Sequence, residues 1–316
     1  MDPALAFLCD QHGVFLRREA EELGYNDPAI ARAVRSGEWV RVRHGAYHLG
    51  PTWLSADERT RYGILCRAAL RQADTDVVLS HVSAAHEWGS PLWDVSLREV
   101  DLTRVDGRTG RRAAGVHQHR GVLVEGDVEE RHGVPVVSAT RTALELTTAL
   151  DLEHALVELD YLLHHGLTTP EKLRARYARM SQWPHSLRTD LVLRLADGRS
   201  ESVGESRMRY LFWTQRVPPP TLNHEVFDPL TGKSYRVDFA WPELGVFVEF
   251  DGKEKYLRHR RPGESLEEYL LRERDRQNRI CELTGWTCLR VGWSHLGTPV
   301  TTAARVRRAL GLLDAA

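Results

Sequence analysis

Residues 235–251, YRVDFAWPELGVFVEFD, decide the fold of the second half of this chain. Asp238 stands in one β-rich run, and Glu249 and Asp251 stand in the next. The turn from Pro242 to Gly245 is short enough to make the two runs neighbouring strands. Side chains alternate along a strand, so Glu249 and Asp251 share a face, with Asp238 close by across the ladder. Clustered carboxylates repel one another and are costly to bury unless a cation neutralises them. That predicts a hard divalent ion, Mg2+ or Mn2+, held by the cluster. Such an ion lowers the pKa of a bound water and stabilises charge developing on a phosphodiester, which is what a nuclease needs. Acids on a solvated strand edge are common and mean little, but VFVEFDG sets two of them in an apolar run where a plain strand would carry Val or Thr.

Outward from this core the pattern reads helix, three strands, helix, strand. Glu201 to Gln215 is the first helix, LNHEVFD the strand before SYRVDFAW, Leu266 to Leu283 the second helix and WTCLRVGW the last strand. Glu205, on the first helix, is placed to complete the acid cluster, and Lys253 follows the acids closely enough to supply a positive charge. On the second helix Arg272, Arg276 and Arg279 fall on one face and would meet backbone phosphates, although i to i+4 charge pairs are equally what a solvated helix shows. The order GESRMR, YRVDFAWPELGVFVEFDGKEKY, basic helix and GWTCLRVGW resembles the PD-(D/E)XK superfamily, in particular its very-short-patch-repair-like domain. The resemblance covers roughly the last hundred residues and implies a restriction-endonuclease-like α/β domain. It implies Asp238 and Glu249 as metal ligands and Glu205 as the helix acid. Asp251 stands where the superfamily has its lysine, a departure that bears directly on catalysis.

The N-terminal stretch reads as three short helices and a hairpin. Ala4 to Asp10, Arg17 to Leu23 and Asp27 to Ser36 are the helices, the third with Asp27 as N-cap, Pro28 at its first position and Gly37 as terminator. WVRVRHGAYHL then alternates around the turn His44-Gly45. The order predicts a winged helix-turn-helix, with Arg32 and Arg35 on the third helix and Arg41 and Arg43 on the wing forming one basic surface for duplex DNA. Such folds also dock proteins, and Glu19, Glu21 and Glu22 dilute the charge. HGVFLRREAEELG, GEWVRVRHGAYHL, GVPVVSATRTALEL and ALVELDYLLHHGLTTPEKL together resemble the AbiEi antitoxins of type IV toxin–antitoxin systems over residues 1 to 180. That resemblance implies DNA binding, transcriptional autorepression and a cognate toxin partner.

The expected organisation is therefore an α/β multidomain chain: a winged helix-turn-helix at 1–50, a mixed α/β domain at 51–184 and the nuclease-like domain at 185–316. With 316 residues and 42% hydrophobic content the chain can bury more than one core, while a formal net charge of −1 gives no global basic field, so nucleic-acid contacts must be local. The four cysteines form no CxxC pair and read as reduced thiols. No apolar run approaches a membrane span, and a cytoplasmic bacterial protein is expected. His81 and His86 lie five apart, on different sides of a helix. His117 and His119 share a strand face but have no obvious acidic or cysteine partner, and read as surface histidines. Two function classes follow: a Mg2+-dependent DNA endonuclease, or a non-catalytic DNA-binding regulator in which the nuclease-like fold only binds.

Overall fold

The computed structural model of the protein describes residues 2–108, 110–180, 183, 186–252 and 260–312. The chain is mixed α/β, with three sheets among the described residues. It divides into two compact units, Met1–Glu158 with Gly166–Arg194, and Leu159–His165 with Leu195–Ala316.

The first unit opens with α1 (Pro3–His12), β1 (Phe15–Leu16), α2 (Arg17–Glu22), α3 (Asp27–Arg35) and the hairpin β2 (Trp39–Arg43) and β3 (Ala46–Leu49), the sheet running β1-β3-β2. The cap of α3 is Asn26 rather than the expected Asp27: its side chain accepts the Ala29 N–H at 3.1 Å, which moves Asp27 into the first turn. Gly45 takes the hairpin turn at φ 73°. Trp39, buried against Phe15 with ring centroids 4.8 Å apart, closes a small core with Leu5, Ile30 and Tyr47.

The chain continues through α4 (Gly50–Ser55) and α5 (Glu58–Arg71), the latter capped by Asp57. Next come β4 (Val77–Leu79), α6 (His81–Glu87), β5 (Val100–Arg104), β6 (Arg112–Ala113), β7 (Val116–His119), β8 (Val128–Arg131), β9 (Val134–Val137) and α7 (Ala139–Ala149). The strands form one sheet in the order β6-β7-β5-β4-β9-β8, in which β5 and β7 are parallel. The helices α8 (Leu152–His164), α9 (Pro170–Tyr177) and α10 (Ser186–Leu195) follow.

In the second unit α11 (Val203–Thr214) precedes β10 (Thr221–Asp228), β11 (Lys233–Trp241) and β12 (Val246–Asp251), and α12 (Leu266–Thr284) precedes β13 (Thr287–Gly292), α13 (Trp293–Leu296) and α14 (Pro299–Ala309). The sheet runs β10-β11-β12-β13, antiparallel except for the parallel pair β12 and β13. Helices cover both faces. Val246, Val248 and Phe250 of β12 pack with Met208, Phe212, Ala303 and Val306, while Phe247 packs with Ile280 of α12. The strict alternation of β12 thus sends its apolar residues at even numbers to the α11 and α14 side, and Glu249 and Asp251 to the side of Phe247.

Candidate functional site

Both ladders open at Asp238. On one side Asn223, at φ 50°, drops out of the register between Leu222–Phe239 and His224–Val237; on the other, pairing with β12 stops at Phe239 and Val248. The Phe250 N–H is therefore available, and the Asp238 carboxylate accepts it at 2.7 Å. Asp238, Glu249 and Asp251 line one cleft of about 330 Å³ together with Glu201, Arg236, Arg272, Arg276 and Arg290. The strands β11 and β12 thus carry the three acids to one cleft.

Each acid nevertheless has a partner from the protein. Glu249, buried to 4% exposure, accepts from the Arg276 guanidinium at 2.9 Å, and Asp251 lies 3.5 Å from Arg290. Burial by itself would lower the Arg276 pKa; the charges of Glu249 and Glu273 outweigh it and hold it above the ordinary arginine value. The oxygen donors suit a hard cation such as Mg2+, which binds through one or two carboxylates and keeps its waters; among the described residues the three acids do not bring three ligand atoms within 4.8 Å of one another, and Arg276 lies against Glu249.

One expected site residue falls elsewhere. Glu205 does not line the cleft. Its carboxylate accepts the Glu201 N–H and the Ser202 hydroxyl, both at 2.9 Å, closing the N-terminus of α11; Glu201 faces the cleft instead and pairs with Arg236 at 2.6 Å. The arginines of α12 do not present a bare phosphate-binding face, since Arg272 is paired with Glu264 at 2.8 Å, Arg276 with Glu249, and Arg279 with Asp228 at 2.8 Å. Lys253 lies outside the described residues.

In the first unit Arg32, Arg35 and Arg41 are exposed on α3 and β2. Arg43 is turned away from that surface: its guanidinium donates to the Gln72 side chain at 3.2 Å and the Ala114 carbonyl at 3.1 Å, and burial lowers its pKa. The basic surface on α3 and the wing is thus built from three arginines rather than four.

Residues 3–50 match a protein family described as a transcriptional regulator, AbiEi antitoxin. Over 281 residues, 88% of this chain and 94% of theirs, the chain is 29% identical to the uncharacterized proteins MT2308 and Rv2248 of Mycobacterium tuberculosis strains CDC 1551 / Oshkosh and ATCC 25618 / H37Rv. Among solved structures, that of the RV2827C protein of Mycobacterium tuberculosis aligns with 73% of this chain and 89% of its own, at 16% identity and a TM-score of 0.41. No helix among the described residues is long and apolar enough to cross a membrane.

Proposed function

We propose that this protein is a DNA-binding transcriptional regulator of the AbiEi antitoxin kind, whose N-terminal winged helix-turn-helix grips duplex DNA. One observation carries the reading: the family match spans residues 3–50, the same stretch in which α1 to α3 and the hairpin expose Arg32, Arg35 and Arg41. In this geometry α3 enters the major groove and the β2–β3 wing lies along the phosphates. A net charge of −1 over the whole chain leaves attraction to this local patch, so binding is steeply salt-dependent. A cognate toxin is the protein partner this reading brings with it. The test is fluorescence anisotropy of the full chain on DNA from its own upstream region. Arg32→Ala/Arg35→Ala weakens binding at least about tenfold and flattens the salt dependence by roughly one counterion per lost phosphate contact. Unchanged affinity in that variant overturns the reading.

A second reading, a metal-dependent DNA endonuclease of the PD-(D/E)XK type, is favoured by one observation, the convergence of Asp238, Glu249 and Asp251 on a single cleft at the open end of β11 and β12. Its expected signature is Mg2+- or Mn2+-dependent nicking of plasmid that Asp238→Ala abolishes. Absence of cutting on supercoiled, nicked, mismatched and single-stranded DNA removes this reading and leaves the regulator intact.

A further inference from the structure

The sheet of the first unit brings together a histidine and carboxylate cluster remote in sequence from the acids of β11 and β12. Strands β5 and β7 are parallel neighbours with Asp101 beside His117 and Thr103 beside His119. On the shared face, one oxygen of Asp101 lies 2.7 Å from His119 Nε2 and 3.7 Å from His117 Nδ1, and the two imidazole centroids are 3.8 Å apart. Among the described residues these three alone bring three candidate ligand atoms within 4.8 Å of one another.

We propose that Asp101, His117 and His119 bind a divalent transition-metal ion of the zinc class. The donor set, two imidazole nitrogens and one carboxylate oxygen, matches the borderline preference of such ions rather than that of magnesium. A tetrahedral ion with metal–ligand bonds of about 2.0–2.1 Å needs donor atoms about 3.3 Å apart. The 3.7 Å pair is close to that spacing, and the 2.7 Å pair must open by a few tenths of an ångström, within the reach of a side-chain torsion. A proton shared between Asp101 and one ring cannot serve the other ring as well, and two charged imidazoles at this separation repel. A single divalent ion satisfies all three groups together.

The surroundings hold the ligands in place. The Asp101 N–H donates to Ser83 Oγ at 2.8 Å, fixing its backbone beside α6. The His81 ring stacks on that of His119 at 3.7 Å and 18°, and His81 is itself held by Ser80 at 3.1 Å and by Glu145, which accepts its backbone N–H at 2.9 Å. The side chains of Asp101, His119 and His117 keep 15%, 19% and 37% exposure, so an ion can enter from solvent and three protein ligands leave a coordination position open. His119 also borders a cavity of about 610 Å³ lined by His81, Arg120, Arg141 and Arg179.

Zinc titration of the chelator-stripped full chain by calorimetry, with Co2+ absorption as the second readout, tests the site. The wild type is expected to bind one equivalent with visible bands typical of nitrogen and oxygen ligands. His117→Ala and Asp101→Asn are expected to weaken binding at least tenfold, whereas Asp238→Ala and Glu249→Gln leave it unchanged. His117→Gln, at the most exposed of the three ligands, keeps the test valid if a variant at His119 unfolds. The site is overturned if no zinc binds, if the His117 variants bind as the wild type does, if Asp238→Ala removes the bound ion, or if an intense near-ultraviolet thiolate band shows that cysteines hold the cobalt.

Discussion

Glu249 meets the Arg276 guanidinium at 2.9 Å with only 4% of its surface exposed, so the two charges stand or fall together. Removing one partner of such a pair leaves the other uncompensated in a low-dielectric site, whereas removing both costs much less. Arg276 also reaches Glu273 at 2.9 Å and the Arg236 carbonyl at 3.1 Å, which ties α12 to the edge of the cleft. We expect Arg276→Met to lower stability by about 2–4 kcal/mol, and Glu249→Gln to recover part of that loss in the double variant. Urea unfolding of the four-member cycle measures the coupling, expected at roughly 1–3 kcal/mol; strictly additive effects would show that the contact is not a working pair.

At the scale of elements, α11 is set against the sheet by Gly204. A Cβ placed there would lie 2.0 Å from the ring of Phe250, itself only 2% exposed, so only glycine allows the helix to start this close to β12. Gly204→Ala forces the ring or the helix to shift. Overpacking of about 1–3 kcal/mol outweighs the gain in helix propensity, seen as a lower urea midpoint at unchanged slope. A neutral result would mean that Phe250 moves aside freely. Much of this unit could be read from its sequence, because VFVEFD alternates strictly and so assigns each residue a face. The helix from Leu266 was equally legible, since Ser265 and Glu268 form a capping box. The same spacing of Ser and Glu occurs at Ser202-Val-Gly-Glu205, where the Glu205 carboxylate serves the start of α11 rather than the acid cluster. Asn26 and Asp27 are both good caps, which is why the start of α3 shifts by one. Helices α9 and α14 each begin with Thr-Pro, at Thr169-Pro170 and Thr298-Pro299, a start signal too short to stand out against the loops around it. No local pattern pairs Arg43 with Gln72 or His119 with Asp101. Those contacts exist only after the sheet and the wing have formed, and so histidines without an obvious acidic partner acquire one from a parallel strand.

On the scale of the whole molecule, acidity acts on the two compact units through buried carboxyls. In the first, Glu158 is fully buried, and burial pushes its pKa from the ordinary 4.5 up to about 7 despite its hydrogen bond from the Ser90 hydroxyl. In the second, burial likewise raises Asp160 to about 6 against the pull of Arg209 at 2.5 Å. Opposing them, Glu264 is held down to about 2 by its hydrogen bond from Arg272, and Asp127 lies below its ordinary value because its bonds from Arg176 and Val124 and the charge of Arg141 outweigh burial. The depressed groups contribute stability that is lost as pH falls through the acid range. The raised ones do the reverse: Glu158 keeps its proton in the folded chain after the unfolded chain has lost it, so stability declines as pH rises from about 4.5 to about 7 and is flat beyond. At about 1.4 kcal/mol for each tenfold in proton affinity, the decline is on the order of 3 kcal/mol at most. Glu158→Gln cannot ionise and is expected to lose that descending limb, so that it gains on the wild type between pH 5 and pH 7.5 while the acid limb below about pH 4 is unchanged. Urea midpoints of the two proteins across that range decide it: parallel curves would mean that Glu158 is ionised in the native chain throughout, with a partner found for its charge.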